Sequence, residues 1–155
     1  MQSIQFEVNG RPLTQGSMTP IRNRHTGAIF MKHKKGLVEW RHLIGDVAFH
    51  AMKVKSYNVT SGPVKLHVKA LMVRPKRHYR TGKYSDVLRD DAPKYHIQAP
   101  DGDKLMRAVM DALTDIVYRD DSQVYDEHLV KSWVGRHETP GIIVSVVMIE
   151  EWEQR

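Results

Sequence analysis

The chain has 155 residues, enough for one domain with a sizeable core, and its 41% hydrophobic and 27% charged residues are an ordinary balance for a globular protein. No apolar run approaches the ~20 residues of a membrane-spanning helix, the start MQSIQFEVNG lacks a signal-peptide pattern, and there is no cysteine, so an intracellular, cytoplasmic protein without disulfides or thiolate metal sites is expected. The net charge of +6 is unevenly spread: residues 1–98 hold 18 Lys and Arg against 6 Asp and Glu, a balance of +12, while residues 99–155 hold 6 against 12, a balance of −6.

Ile4, Phe6 and Val8 alternate with polar residues and lead into Asn9-Gly10, which predicts a strand closed by a turn. Residues 11–36 read as irregular and basic, with Arg22, Arg24, Lys32, Lys34 and Lys35 around Gly27 and a short apolar patch from Ala28 to Met31. From Leu37 the period changes. Leu37, Trp40, Leu43, Ile44, Val47, Ala48 and Ala51 share one helical face, giving a helix to about Lys53. Gly62-Pro63 opens a strand in which Val64, Leu66, Val68, Ala70 and Met72 alternate, ending at Pro75.

Residues 74–98 read as a long loop carrying Arg74, Lys76, Arg77, Arg80, Lys83, Arg89 and Lys94, with Tyr79, Tyr84 and Tyr95 interleaved. A structureless loop of that length in a compact domain is usually functional or disordered. Leu105, Ala108, Val109, Ala112, Leu113 and Ile116 then form an apolar stripe that predicts a helix over about 102–117. Val124 to Val134 reads as a strand with Leu129, Lys131 and Trp133 on one face, and Gly141 to Glu150, apolar on both faces, suits a central strand. The order β-α-β-loop-α-β-β predicts one α+β domain over residues 1–155, a mixed sheet with helices packed against it.

The stretch APDGDKLMRAVMDALTDIVYRDDSQV, residues 99–124, holds Asp101 and Asp103 just before the second helix and Asp120 and Asp121 just after it. Each pair has an ordinary structural explanation. A helix start leaves backbone N–H groups that an aspartate caps, and Asp-Asp suits a turn. Capping accounts for one member of the first pair and leaves the other unexplained. A helix of about 15 residues is ~22 Å long, so carboxylates at its two ends meet only if the chain after Tyr118 doubles back. A strand returning antiparallel to the helix starts near the wrong end, and spacing alone leaves the point open. Among nine histidines none shows convincing metal-ligand spacing; His96, near the Asp-x-Asp, reads as a solvated loop residue or a phosphate contact.

The run PDGDKLMRAVMDAL followed by YRDDSQV resembles the RusA family of Holliday-junction resolvases, the crossover junction endodeoxyribonucleases. That family's signature is an Asp-x-Asp just before a helix, an Asp-Ala-Leu later in it, and then Asp-Asp-x-Gln-Val. The likeness is close over about residues 95–134, follows the final strand by pattern, and extends to the first 90 residues in element order only. It implies a RusA-like fold and a homodimeric endonuclease, dependent on Mg²⁺ with Mn²⁺ as an alternative, that cuts four-way DNA junctions in recombination and repair. The family is common in phages and prophages.

Carried over residue by residue, the resemblance puts the metal-binding carboxylates on Asp101, Asp103 and Asp121 and the catalytic lysine on Arg107. That is a departure, as is Lys104, where the family often has asparagine. Arginine cannot lose its proton, so Arg107 is no general base; charge stabilisation, phosphate positioning and an i,i+4 ion pair with Asp103 or Asp111 stay open, and Asp111 is expected to be structural. Three such aspartates would hold one or two Mg²⁺ ions, which polarise a phosphate and lower the pKa of the attacking water. Arg22, Arg24, Lys32, Lys34, Lys35, Lys76, Arg77, Arg80 and Lys104 are the candidates for drawing DNA in. Tyr79, Tyr84 and Tyr95 would stack on unpaired bases or anchor their loop. Trp40, Trp133 and Ile29-Phe30 belong to the core or to a dimer surface.

Three other functions fit the same residues. They are a non-catalytic protein that binds branched DNA, a metal-dependent nuclease for flaps, nicks or replicated phage DNA, and a structural protein whose aspartates are only caps and turns.

Overall fold

The computed structural model describes residues 1–16, 19–32 and 35–150. In chain order the elements are β1 (Gln2–Asn9), β2 (Thr19–Arg22), β3 (Ile29–Lys32), α1 (Leu37–Val54), β4 (Val64–Val73), α2 (Gly102–Leu113), β5 (Val124–Val134) and β6 (Gly141–Met148). Four strands make a mixed sheet in the order β1-β6-β4-β5, and β2 pairs with β3 as a separate hairpin. β6 is antiparallel to both β1 and β4, while β4 and β5 are parallel. β6 is thus a central strand, as expected, with Ile142, Val144, Val146 and Met148 buried on one face and Ile143, Ser145 and Val147 half-buried on the other. A parallel pair needs a crossover connection, and the segment carrying α2 supplies it.

Strict alternation in β1 and β4 buries Ile4, Phe6 and Val8 and Val64, Leu66, Val68, Ala70 and Met72 on the face that the helices cover. Trp40, Ile44 and Ala48 of α1 and Leu105, Val109 and Leu113 of α2 complete that core. α1 and α2 come close at Gly45, where a Cβ would stand 3.3 Å from the Ala112 carbonyl oxygen of α2 and 2.9 Å from Cδ1 of Ile116, just beyond its end. On the opposite face His67 and Lys69 of β4 are exposed, and a shallow cleft of about 390 Å³ is lined by His67, Lys69, His128, Val130, Ser132 and Ser145 among others.

Three expectations are corrected. The second helix stops at Leu113, four residues early, because Thr114 turns extended and Asp115 takes φ 64°. The Thr114 hydroxyl donates to the Met110 carbonyl at 3.1 Å, and β-branched Thr114, Ile116 and Val117 favour leaving the helix. Val117 and Tyr118 remain fully buried without being helical.

Residues 11–36 are less irregular than expected, since they contain the β2–β3 hairpin. Its turn is built by Asn23, whose side-chain oxygen accepts from the amides of His25 at 2.8 Å and Thr26 at 3.1 Å. Four-residue strands are too short for a readable alternation.

The 74–98 loop, too, is ordered. Two 3₁₀ turns, Lys76–His78 and Gly82–Tyr84, and backbone bonds from Arg80 to Val87 and from Arg89 to His78 fold it on itself. Tyr79 is buried in it, while Tyr84 and Tyr95 are exposed. Ile29 is exposed as well, outside the core; the Phe30 side chain lies outside the described residues.

Candidate active site

Asp101 occupies the N-cap position of α2 with extended backbone, and its carbonyl accepts the first helical bond, from the Leu105 amide at 3.2 Å. Its side chain makes no capping bond. The carboxylate instead turns outward, accepting from Lys104 Nζ at 2.8 Å with 61% of the side chain exposed. The Lys104 hydrogen bond and charge hold the Asp101 carboxyl below the usual carboxylate range. Asp103, in the first turn, is also exposed. It lines a cleft of about 290 Å³ with Gly102, Met106, Glu127 and Leu129, so a glutamate of β5 stands across the cleft from it.

Asp120 and Asp121 divide their roles. Asp120 caps a 3₁₀ turn, Asp121–Gln123, with its side chain accepting from the Ser122 amide at 2.8 Å. That bond lowers its carboxyl pKa. Gln123 completes a capping box and does more. Its amide nitrogen donates to the carbonyls of Thr60 at 3.1 Å and Gly62 at 2.9 Å, and its oxygen accepts from the amides of Arg119 at 2.9 Å and Asp120 at 3.0 Å. The turn is thereby tied to the entry of β4, and Asp121 is left exposed on it.

Asp121 sits near the C-terminal end of α2. Buried Tyr118 donates its hydroxyl to the Met110 carbonyl at 2.9 Å; burial first, then the charges of Asp121 and Asp111, raise its pKa well above the ordinary tyrosine value. β5 starts beside this end and reaches the N-terminus of α2 at Glu127 and Leu129. The structure thus brings Asp101 and Asp103 together and sets Asp121 toward the far end of the helix. Among the described residues no group of three or more His, Cys, Asp or Glu side chains is gathered closely enough to hold a metal ion.

Arg107 is exposed one turn beyond Asp103. Among the described residues it forms no ion pair with Asp103 or Asp111, so its charge is free. Asp111 is bridged to Arg41 of α1 at 4.0 Å, the structural role expected of it. Of the loop cations, Arg77 bonds Gln98 at 3.3 Å, Arg80 pairs with Asp90 at 3.0 Å, and Lys76 is exposed. Arg22 and Arg24 project from the hairpin and Lys35 precedes α1, all exposed; Lys34 and the Lys32 side chain lie outside the described residues.

The family model for endodeoxyribonuclease RusA matches residues 11–147. The chain belongs to the RusA family. A relative described as "Uncharacterized protein YqaN", from Bacillus subtilis (strain 168), is 29% identical over 126 residues, which is 81% of this chain and 84% of the relative. RusA proteins are endodeoxyribonucleases that act on branched DNA.

Around this RusA motif the structure adds groups that sequence reasoning missed. His96 is neither solvated nor free to meet phosphate: it is buried against Trp133, with ring centroids 4.2 Å apart. His78 packs edge-on to the same indole at 5.3 Å, and the Arg74 guanidinium lies over it. Burial, helped by Lys131 for His96 and by Arg74 and Arg77 for His78, lowers both imidazole pKa values. Lys131 and Glu127 were visible only as alternate residues of one strand face, and nothing in their spacing tied them to the aspartates.

Proposed function

We propose that this protein is a Mg²⁺-dependent, homodimeric endonuclease that resolves four-way DNA junctions by paired phosphodiester hydrolysis. One observation carries the reading beyond family membership: Asp101, placed where an aspartate ordinarily caps a helix, leaves its capping role unused and presents its carboxylate outward beside exposed Asp103. Mg²⁺ favours hard oxygen donors and is bound through one or two carboxylates plus waters and substrate phosphates, without an all-protein cage. The exposed pair fits that preference: Asp101 and Asp103 are the residues that would hold the ion, whereas Asp121, expected from the family motif to join them, stands toward the other end of α2 and does not reach the same ion within one chain. Bound there, Mg²⁺ supplies phosphate polarisation and a nucleophilic water of lowered pKa.

The chain's own groups do the rest. Carboxylates close together repel a phosphodiester, so cations must offset them. Lys104 and Arg107 stand on the same helix, and the exposed lysines and arginines of the 74–98 loop and of the β2–β3 hairpin extend the positive surface. Arg107, permanently charged, stabilises phosphate charge and leaves proton removal to other groups. Two symmetric cuts need two sites, which a two-fold dimer provides.

The test is cleavage of a labelled mobile four-way junction beside matched linear duplex, with and without Mg²⁺, by wild type and Asp103→Asn. Paired, metal-dependent cuts in the junction alone, lost in the variant while junction binding persists, are the expected result. Junction binding without any cut would leave a branched-DNA-binding protein in which Arg107 has replaced a needed lysine. Cutting of flaps or nicks in preference to junctions would mean a nuclease of other specificity.

A further inference from the structure

We propose that Lys131 is a positioning residue for the aspartate pair, fixing the backbone that leads into Asp101 from the neighbouring strand. This rests on the reading of Asp101 and Asp103 as the working carboxylates. The Lys131 ammonium, from β5, donates to the carbonyl of Gln98 at 2.8 Å and to that of Pro100 at 2.9 Å. Two carbonyls on either side of Ala99 therefore converge on one nitrogen, directly before the N-cap residue.

The clamp belongs to a longer contact in which one face of β5 follows the approach to α2 in reverse order. Trp133 stacks on His96. Lys131 holds Gln98 and Pro100. Leu129 lies so close to Gly102 that a Cβ there would be 3.2 Å from Leu129 Cδ2. Glu127 shares its cleft with Asp103. Alternate strand residues are ~6.6 Å apart, so each side chain meets the next few residues of the segment. Three of these contacts are apolar, aromatic or lateral; Lys131 alone supplies donors to the segment's backbone.

Lysine suits this place for a physical reason. Two carbonyl dipoles pointing at one spot repel each other unless a donor stands between them, and an ammonium offers up to three N–H groups from a compact charge. Its stem reaches the spot from a strand held along its whole length by β4, with Lys131 opposite Ala70 in the register. The carboxylate at the start of α2 is thereby referred to the sheet, and supports of this kind keep a reactive constellation in its productive geometry. The same charge contributes to holding Asp101 ionised and His96 neutral.

The experiment compares wild type, Lys131→Met and Lys131→Arg in the full chain by three readouts. These are amide hydrogen exchange over residues 96–106 in the metal-free protein, the thermal midpoint, and junction cleavage across a Mg²⁺ series resolved into kcat and KM. Lys131→Met should speed exchange in 96–106 while β1 and β6 keep their protection. It should raise the Mg²⁺ midpoint or lower kcat by roughly 10–100-fold, the usual loss when a partner behind a ligand is removed, with the KM for junction little changed. Lys131→Arg should recover much of both, since a guanidinium also spans two carbonyls.

Unchanged exchange in 96–106 would overturn the proposal, as would faster exchange with kcat and the Mg²⁺ midpoint unaltered, or protection lost uniformly through the sheet. If wild type cleaves no DNA with any divalent metal, the nuclease reading fails; the exchange result still decides whether Lys131 fixes this backbone.

Discussion

Gln123 offers the most quantitative test of how the Asp120-Asp121 turn is held. Truncation to alanine removes four hydrogen bonds, two donated to the partly buried carbonyls of Thr60 and Gly62 and two accepted from the exposed amides of Arg119 and Asp120. An intramolecular bond contributes about 0.5–1.5 kcal/mol net, and exposed groups recover part of it from water. Taking about 1 kcal/mol for each partly buried bond and about 0.5 for each exposed one, Gln123→Ala costs about 3 kcal/mol. In a chain of this size that lowers Tm by about 6–12 °C. Urea unfolding followed by circular dichroism should show the midpoint shift at unchanged slope.

Gln123→Glu sharpens the test. The carboxylate still accepts from Arg119 and Asp120 but sets an oxygen against two carbonyls, so at neutral pH it should be at least as unstable as the alanine variant. Protonation restores one donor, the folded state then binds the proton more tightly than the unfolded chain, and stability should rise as pH falls. A loss below about 1 kcal/mol for alanine, or a glutamate variant indifferent to pH, would refute the assignment of Gln123 as the tie between turn and sheet.

Two further outcomes follow from the same structure. Lys76→Ala and Arg77→Ala should each weaken junction binding and reduce the slope of log affinity against log salt by ~0.9 per lost phosphate contact; Arg80→Ala, whose guanidinium is held by Asp90, should change it less, and an unchanged slope in all three would remove this loop from the DNA surface. Because burial lowers the pKa of His78 and His96 in the fold, the unfolded chain binds more protons below the ordinary histidine value of about 6.5, and stability should fall as pH drops through it. Thermal midpoints measured against pH should fall less steeply for the His78→Phe, His96→Phe double variant than for wild type, and parallel curves would contradict the buried, neutral state of the two rings.

The strands were legible wherever an alternation ran for five residues or more. β1 and β4 bury one side chain in two, as their alternation states, and β6, apolar at nearly every position, buries one face and half-buries the other. α1 was legible from its stripe. α2 was legible at its start, where burial and spacing agree, and misjudged at its end, where Thr114 and a left-handed Asp115 break the helix although Ile116 keeps the spacing of the stripe. The hairpin was hidden because its strands are short and its order comes from Asn23 bonding to the turn backbone. The 74–98 loop was hidden because its packing is long-range: Trp133 gathers His78, His96 and Arg74 from positions more than thirty residues away, and no local period records that.

The aspartates show how far local chemistry can sort structural from available carboxylates. Asp101 and Asp120 occupy the same kind of place, an N-cap with extended backbone. What separates them is the residue three positions on. Gln123 returns its side chain to the Asp120 amide, closing a capping box that engages Asp120 and leaves its neighbour, Asp121, exposed. At α2 that position is Lys104, a side chain with donors only, which cannot close a box and draws the Asp101 carboxylate outward instead. Asp-x-x-Gln thus marks an aspartate spent on the backbone and Asp-x-x-Lys one that is not, and both marks stand in the sequence. Missing from it is the distance between the pairs, because that depends on β5 running back along α2 beside β4, a matter of sheet order that neither motif encodes.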